Sequence, residues 1–479
     1  MDDQLNLIAG EHREAASGLT LAVLDPADGQ PFTTLPRSDA RDVDAAVRAA
    51  WAAFHGDWGR CTATERGRVL TRLAALITAH HFDLAALECR DTGKPIGQAR
   101  GDITACARYF EFYGGAADKL HGETIPYAAG STVLAVRVPF GVTGHIIPWN
   151  YPAQIFGRSV AAALAAGNAC VVKPAEDACL TPLRIAALAL EAGLPAGALN
   201  MVCGLGIEAG AALSAHPGLR HISFTGSPAT GTAVTQAAAV HHVPVTLELG
   251  GKSPQVLFAD ADLDAALPVV VNAIVQNAGQ TCAAGSRVLV ERAIHAEVMA
   301  RLAERFAALT TGPGHADPDC GPLINARQHA RVQAMLDAAE QSGARIVARG
   351  QLRDDAPAGG FWCPPLLLDG VAPDHTIAQQ EVFGPVLVVL PFDGEDEAAT
   401  IANATPYGLT AAVWTRDGSR ALRMAHRIEA GQVFINNYGA GGGIELPFGG
   451  MKHSGHGREK AFEGLRGFTT VKTIAIRHG

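Results

Sequence analysis

From Gly141 onward, short runs of β-branched and apolar residues alternate with alanine-rich stretches of helical spacing. The runs fall at 142–147, 169–173, 200–203, 221–225 and 243–249, the helical stretches at 154–166, 182–192, 208–215 and 230–239. Strands alternating with helices at this spacing predict βαβ units and a parallel sheet with helices on both faces. Such a sheet binds ligands beyond the carboxyl ends of its strands, which directs attention to the loops that follow them. Upstream, 21–24 reads as a strand, 42–54 as a helix behind an acidic start, and 64–113 as helical scaffold broken near Thr92-Gly93-Lys94-Pro95. Residues 121–138 read as a hairpin, either an interface element or a connecting ribbon. Beyond Gly251 a second α/β region runs through helical 294–309 and 325–343 to strands at 386–390 and 409–415, and the pattern ends on a strand at 469–476.

Composition narrows the class. With 479 residues, 48% of them hydrophobic, the chain is too long for one compact core, and two or three domains are expected. A net charge of -9 without a Lys/Arg run disfavours a nucleic-acid partner, and no apolar run reaches membrane-spanning length. The acidic start, Met1-Asp2-Asp3-Gln4, lacks the features of a secretory signal, so the chain reads as cytoplasmic. Nine cysteines stand singly with no C-x-x-C pair, so no metal site is expected and the thiols read as reduced, one of them free to react.

The segment Gln276-Asn277-Ala278-Gly279-Gln280-Thr281-Cys282-Ala283-Ala284-Gly285 surrounds one thiol with small residues. A nucleophilic thiol needs room for a substrate and backbone donors nearby; a buried structural cysteine is the alternative. Two loops compete for a phosphate. Gly204-Leu205-Gly206-Ile207-Glu208-Ala209-Gly210 resembles a dinucleotide fingerprint with one residue too many, while Phe224-Thr225-Gly226-Ser227-Pro228-Ala229-Thr230-Gly231 puts a hydroxyl and N–H groups at a helix N-terminus. Lys173 and Glu176 close another strand, where they form a surface ion pair or bind ribose hydroxyls. Glu248 ends an apolar strand before two glycines, a setting that raises a carboxyl pKa and suits a general base, unless nearby N–H groups satisfy it.

Seven motifs stand in one order: Pro148-Trp149-Asn150-Tyr151-Pro152, Lys173-Pro174-Ala175-Glu176, Phe224-Thr225-Gly226-Ser227, Glu248-Leu249-Gly250-Gly251-Lys252, Gly279-Gln280-Thr281-Cys282, Glu381-Val382-Phe383-Gly384-Pro385 and Pro447-Phe448-Gly449-Gly450. Together, over nearly the whole chain, they resemble the NAD(P)-dependent aldehyde dehydrogenase family. The resemblance implies an α/β fold with two parallel-sheet domains and a small β element: an NAD-binding domain at 1–120 and 140–249, a catalytic domain at 250–458, and an oligomerisation element at 121–139 and 459–479 that builds a homodimer or homotetramer. It implies Cys282 as nucleophile, Glu248 as the base that hydrolyses a thioester, and Asn150 as oxyanion donor with the Cys282 N–H. For the cofactor it implies Lys173 and Glu176 at the adenosine ribose, Phe224, Gly226, Ser227 and Gly231 around the pyrophosphate, and Gly206 and Gly210 on the adenine side. Ile147, Trp149, Leu249, Glu381 and Phe383 then face the nicotinamide end. Glu176 favours NAD over NADP, because a carboxylate beside the ribose hydroxyl repels a phosphate.

Tyr151, Arg158 and Phe448 match positions near the substrate tunnel. Two departures blur the substrate there: Arg158-Ser159 replaces the usual Trp-Lys, and Gly441-Gly442-Gly443 stands where an aromatic residue is common. An arginine in such a tunnel either pairs with a protein carboxylate or waits for a substrate's polar group. A coenzyme A-acylating dehydrogenase and a non-enzymatic structural protein of the lens type are the alternatives; Glu248, a base for hydrolysis, weighs against the first, and the intact Cys282, Glu248 and Asn150 against the second.

Overall fold

The computed structural model describes residues 4–439 and 443–479. Five parallel strands form the middle of an eight-stranded sheet, in the order Leu199–Met201, Ala169–Pro174, Val142–Ile147, His221–Thr225 and Val245–Glu248. The chain starts in the middle, winds out to one side and then crosses to the other, so the order reverses between Val142–Ile147 and His221–Thr225. In open α/β sheets such a reversal, at the carboxyl ends of the strands, is where a ligand-binding crevice is expected. Short antiparallel strands close the flanks, Asn6–Ile8 and then Glu11–Arg13 on one side and Gly455–His456 on the other.

The helices explain the alanine-rich stretches. In Pro152–Ala166 every residue except Gln154 is buried, as expected of a helix apolar all round. It packs against Ile96–Ala116 so closely that a Cβ on Gly157 would stand 3.1 Å from the Cys106 sulfur. Where a helix was read at 208–215, Gly206–Gly210 forms a single π-turn that runs into Ala211–Ser214. Single π-turns of this kind recur at functional sites.

The second sheet has seven strands: Arg345–Arg349, Leu366–Asp369, Val386–Phe392, Arg287–Glu291, Pro254–Leu257, Thr410–Trp414 and Gln432–Ile435. All pairs are parallel except the first. A separate apolar core lies on each of its faces. One of these faces is covered by Leu263–Val275, a helix that the hydrophobic pattern did not reveal. Its apolar residues leave little polar periodicity to read, and Pro268 interrupts the pattern.

A three-stranded antiparallel sheet, Glu123–Ile125, Ser131–Pro139 and Thr469–Arg477, stands apart from both. The last part of the chain reaches it late. Gly455–His456 extends the first sheet, and helix Ala461–Gly467 packs on Pro152–Ala166 with Leu465 and Phe468 in the first core. Residues 459–468, read from sequence with the oligomerisation element, are therefore built into the first core, because the chain must cross that core to reach Thr469. Among the described residues no helix is long and apolar enough to cross a membrane.

Candidate active site

Helix Leu263–Val275 delivers the chain to the thiol through a strained turn. Asn277 (φ 50°) and Ala278 (φ 54°) are left-handed non-glycine residues, followed by Gly279 at φ 69°. The third position admits only glycine, since a Cβ there would lie 2.1 Å from the Gly384 carbonyl oxygen. Strain of this kind survives only where neighbours over-determine the backbone. The neighbours are polar and buried: Asn277 Nδ2 donates to the Asn150 carbonyl (2.9 Å), Gln280 Nε2 donates to the Asn277 carbonyl (3.1 Å), and Gln280 Oε1 accepts from the Ile324 N–H (2.9 Å). Asn150 Nδ2 donates to the Gln280 carbonyl at 2.9 Å, which fixes its side-chain amide beside the thiol segment. No protein group accepts the Cys282 N–H among the described residues.

Cys282 is half-buried and opens on a cavity of about 440 Å³. Tyr151, Arg158 and Phe448, the three substrate-side candidates, line the same cavity. Gly441 and Gly442 of the glycine run lie outside the described residues. Burial pushes the thiol up to about 11, with the Arg158 guanidinium pulling the other way. At neutral pH the sulfur thus rests as a thiol.

Residues from the N-terminal helices, read as scaffold, reach this site. Lys94 is fully buried in the break after His81–Thr92; it binds the Asp102 carboxylate, donates to the Asn150 carbonyl (2.9 Å) and lies 4.4 Å over the Tyr151 ring. The Tyr151 hydroxyl is 2.8 Å from Thr281 Oγ1, one residue before the thiol. From the far side, Tyr438 donates its hydroxyl to the Ala283 carbonyl at 2.7 Å. Lys94, Asp102 and Tyr438 had no local signature in the sequence beyond the Gly93-Lys94-Pro95 break itself, whereas Gln280 stood inside the Gly279-Gln280-Thr281-Cys282 motif without a role.

Glu248 ends its strand 2% exposed, and neither carboxyl oxygen has a hydrogen-bond partner. Burial, then the nearby Glu459 carboxylate, raise its pKa well above the usual range, while Arg158, Arg458 and Lys460 act in the opposite direction. Arg158, left open between protein and substrate, pairs with Glu459, donates to Thr225 Oγ1 (3.1 Å) and lies 5.3 Å from the centre of the Phe448 ring. Glu459 also accepts from Ser223 Oγ at 2.8 Å. A carboxylate just past the Pro447-Phe448-Gly449-Gly450 motif was the available signal, and the sequence reading did not single it out.

The remaining candidates face the crevice. Lys173 donates to Glu176 at 2.6 Å, and the Gly206 N–H donates to the other Glu176 oxygen at 3.4 Å. Burial works against the Glu176 carboxylate, but the Lys173 ammonium outweighs it and holds the group below the usual range. A Cβ on Gly206 would meet open space, and one on Gly210 only the Lys173 stem at 3.9 Å. Ser227 caps helix Pro228–Ala239, accepting from the Thr230 N–H at 3.3 Å, and stays exposed. Phe224 is buried, and the Gly226 N–H donates to the Glu248 carbonyl at 3.0 Å, tying this loop to the next strand. A Cβ on Gly231 would stand 2.7 Å from Leu249, so helix and Leu249 need a bare backbone there. Ile147 ends the central strand, and Trp149 meets Phe383 edge to face at 5.4 Å. Glu381 accepts from the Gly251 N–H at 3.0 Å, and burial pushes its carboxyl up to about 7. Phe383 sits at φ 57°, held by Gln328 donating to its carbonyl at 2.8 Å.

A doubly wound parallel sheet beside a cavity that holds a thiol, with an anchored amide and a buried carboxylate nearby, is an α/β fold of the nucleotide-binding kind. The chain belongs to the aldehyde dehydrogenase family, whose profile matches residues 12–474. It is 41% identical over 473 residues to the hydroxyisobutyraldehyde dehydrogenase of Mycolicibacterium austroafricanum, covering 98% of this chain and 93% of that one. A provisionally assigned aldehyde dehydrogenase from Burkholderia cenocepacia has a crystal structure that superposes with a TM-score of 0.99 at 66% identity, over 99% of this chain and all of the other. The betaine aldehyde dehydrogenase of Staphylococcus aureus, solved in complex with NAD+, gives 0.97 at 34% identity, over 100% and 95% of the two chains.

Proposed function

We propose that the protein oxidises an aldehyde to its carboxylic acid with NAD, through a covalent intermediate on Cys282. The observation that carries this reading is the thiol opening on the cavity with the Asn150 amide pinned beside it. Cys282 Sγ passes its proton to water at the open cavity and adds to the aldehyde carbon, and the oxygen that becomes negative accepts hydrogen bonds from Asn150 Nδ2 and the Cys282 N–H. When bound, NAD supplies the hydride acceptor that takes the thiohemiacetal to the thioester. Glu248 then takes a proton from water, which attacks the thioester and frees the acid. A coenzyme A-acylating enzyme has no use for such a base, so the buried Glu248 supports hydrolysis.

The crevice fits the dinucleotide. Lys173 and Glu176 suit the adenosine ribose, the exposed N-terminus at Ser227 suits the pyrophosphate, open space at Gly206 suits adenine, and Trp149, Leu249, Glu381 and Phe383 suit the nicotinamide end. The charged Glu176 supports NAD over NADP. The NAD+ complex of the S. aureus relative is consistent with this.

The first sheet and the N-terminal helices then serve as the NAD-binding domain and the seven-stranded sheet as the catalytic one. The third sheet serves assembly into a homodimer or homotetramer: the edge strand Thr469–Arg477 is exposed at eight of nine positions and carries Val471, Ile474 and Ile476 in solvent. An unpaired edge with apolar side chains is a template for another copy. The nine free thiols suit a reducing cytoplasm. The reading is tested by NADH formation with a panel of aldehydes; a protein that forms none, with NAD bound, would contradict it.

A further inference from the structure

Three charged side chains line the cavity: Asp102, Arg158 and Lys460. Two are neutralised within the protein. Asp102 binds Lys94 and accepts from Gln154 Nε2 at 2.6 Å, while Arg158 binds Glu459 and Thr225. Lys460 differs. It is only 9% exposed, yet its ammonium has no hydrogen bond or ion pair among the described residues, and its one close companion is the Phe448 ring at 5.1 Å. Phe448 thus lies between two cations, Arg158 and Lys460, with Glu459 committed to the first.

An ammonium on a side chain this largely buried, with no ion pair or hydrogen bond of its own, is costly, and proteins seldom keep one without a use. The backbone adds a second cost. Lys460 (φ 62°) and Ala461 (φ 49°) are both left-handed, held by the bridge between Phe448 and Glu459 and by the Ala461 N–H donating to the Ile444 carbonyl at 2.8 Å. The frame, not a partner, keeps the side chain in the cavity wall. Burial beside Arg158 lowers the ammonium to about 8, which leaves it charged at neutral pH. The Cys282 thiol and the Glu248 and Glu459 carboxylates all lie within its electrostatic reach, though none of them pairs with it.

We infer that Lys460 selects the substrate: it receives a carboxylate on the tail of a short aldehyde while the aldehyde carbon meets Cys282, and it turns away a cationic tail. This deepens the aldehyde dehydrogenase reading and rests on it. Arg158, already paired, positions the wall and does not itself carry the selectivity. A charge-assisted hydrogen bond supplies the attraction, and like-charge repulsion supplies the rejection.

The experiment compares succinic semialdehyde, butyraldehyde and trimethylaminobutyraldehyde by kcat/KM for NADH formation in the wild type and in Lys460→Met, Lys460→Gln and Lys460→Arg. The wild type should prefer the anionic aldehyde. Lys460→Met and Lys460→Gln should lose roughly ten- to a hundredfold on it, mostly through KM, lose far less on butyraldehyde, and gain on the cationic one; Lys460→Arg should retain most of the preference. Without any variant, glutarate should compete with butyraldehyde in the wild type. Equal losses on the anionic and neutral aldehydes, no competition by glutarate, or a wild type that favours butyraldehyde would overturn the inference while leaving the dehydrogenase standing. A wild type that forms no NADH with any aldehyde would fell both.

Discussion

Lys173, Glu176 and Ser227 on the crevice side are settled by neighbours in sequence, whereas most polar groups around the thiol are settled by residues from distant parts of the chain. Lys173 meets Glu176 three positions on, and Ser227 caps its own helix through Thr230. Around the cavity, Arg158 needs Glu459, the Asn150 carbonyl needs Lys94, its amide needs the Gln280 carbonyl, and the Ala283 carbonyl needs Tyr438. A locally built site can lose one member and keep its shape. A buried cross-linked site cannot, since each partner removed strands a polar group in low dielectric.

The largest effect lies where the two regions meet. Cys282→Ser should lower turnover by about a thousandfold or more while NAD still binds, because the crevice contributes no part of the thiol. Near-normal turnover in that variant, read as steady-state NADH formation, would dispose of the covalent mechanism. Next comes Glu248→Gln, where a rapid burst of about one NADH per site should precede a steady state slowed roughly a hundredfold or more, since base is needed only after acylation. Loss of the burst would assign Glu248 an earlier step.

Stability should separate the regions as sharply as rate does. Glu459→Gln leaves the buried Arg158 without its counter-charge, and breaking such a pair costs about 3–5 kcal/mol. Lys173→Met at the crevice pair should cost less than that, because the carboxylate left behind is 31% exposed and water can solvate it, although the ammonium itself is only 3% exposed. Urea midpoints for the two variants check this, and equal midpoints would erase the distinction between a local and a cross-linked site.

The same distinction decides what was legible in the sequence. The parallel strands could be read because both faces of the sheet are covered, so their apolar runs are continuous. The crevice candidates could be named because Lys173 lies at the end of one of those strands and Glu176 and Ser227 sit in the loops that follow them. Cys282, Glu248 and Asn150 came through motifs. Glu459, Lys460, Lys94 and Tyr438 did not, because their meaning lies in a partner or a cavity that only the folded chain brings near. Helix Leu263–Val275 escaped for another reason: its exposed face is made of Asp264, Ala265, Pro268 and Asn272, too little polarity to set a period against the apolar run.

On the crevice side, Glu176→Gln should shift cofactor choice more than rate. The carboxylate that disfavours a ribose phosphate is gone, so the ratio of kcat/KM for NAD over NADP should fall roughly tenfold. An unchanged ratio would place the discrimination elsewhere.

The smallest expected effect is one of pH, at the seam between the regions. Burial pushes the Glu381 carboxyl up to about 7, opposed by the Gly251 N–H and by Arg331 and Lys252, which are the charged groups that face it. Below that pH the group is a neutral acid, and above it a carboxylate. A ribose hydroxyl donates a stronger hydrogen bond to the charged form, so KM for NAD should fall a few-fold as pH rises from about 6 to about 8 and then level off. Lys252 complicates the reading, because burial pulls its ammonium down to about 7 and it loses charge over the same interval. Losing that cation would weaken binding of the anionic dinucleotide, an effect of opposite sign. Glu381→Gln separates the two: it should flatten the fall and leave only the rise that Lys252 causes. A profile that falls equally in wild type and variant would show that Glu381 meets no ribose.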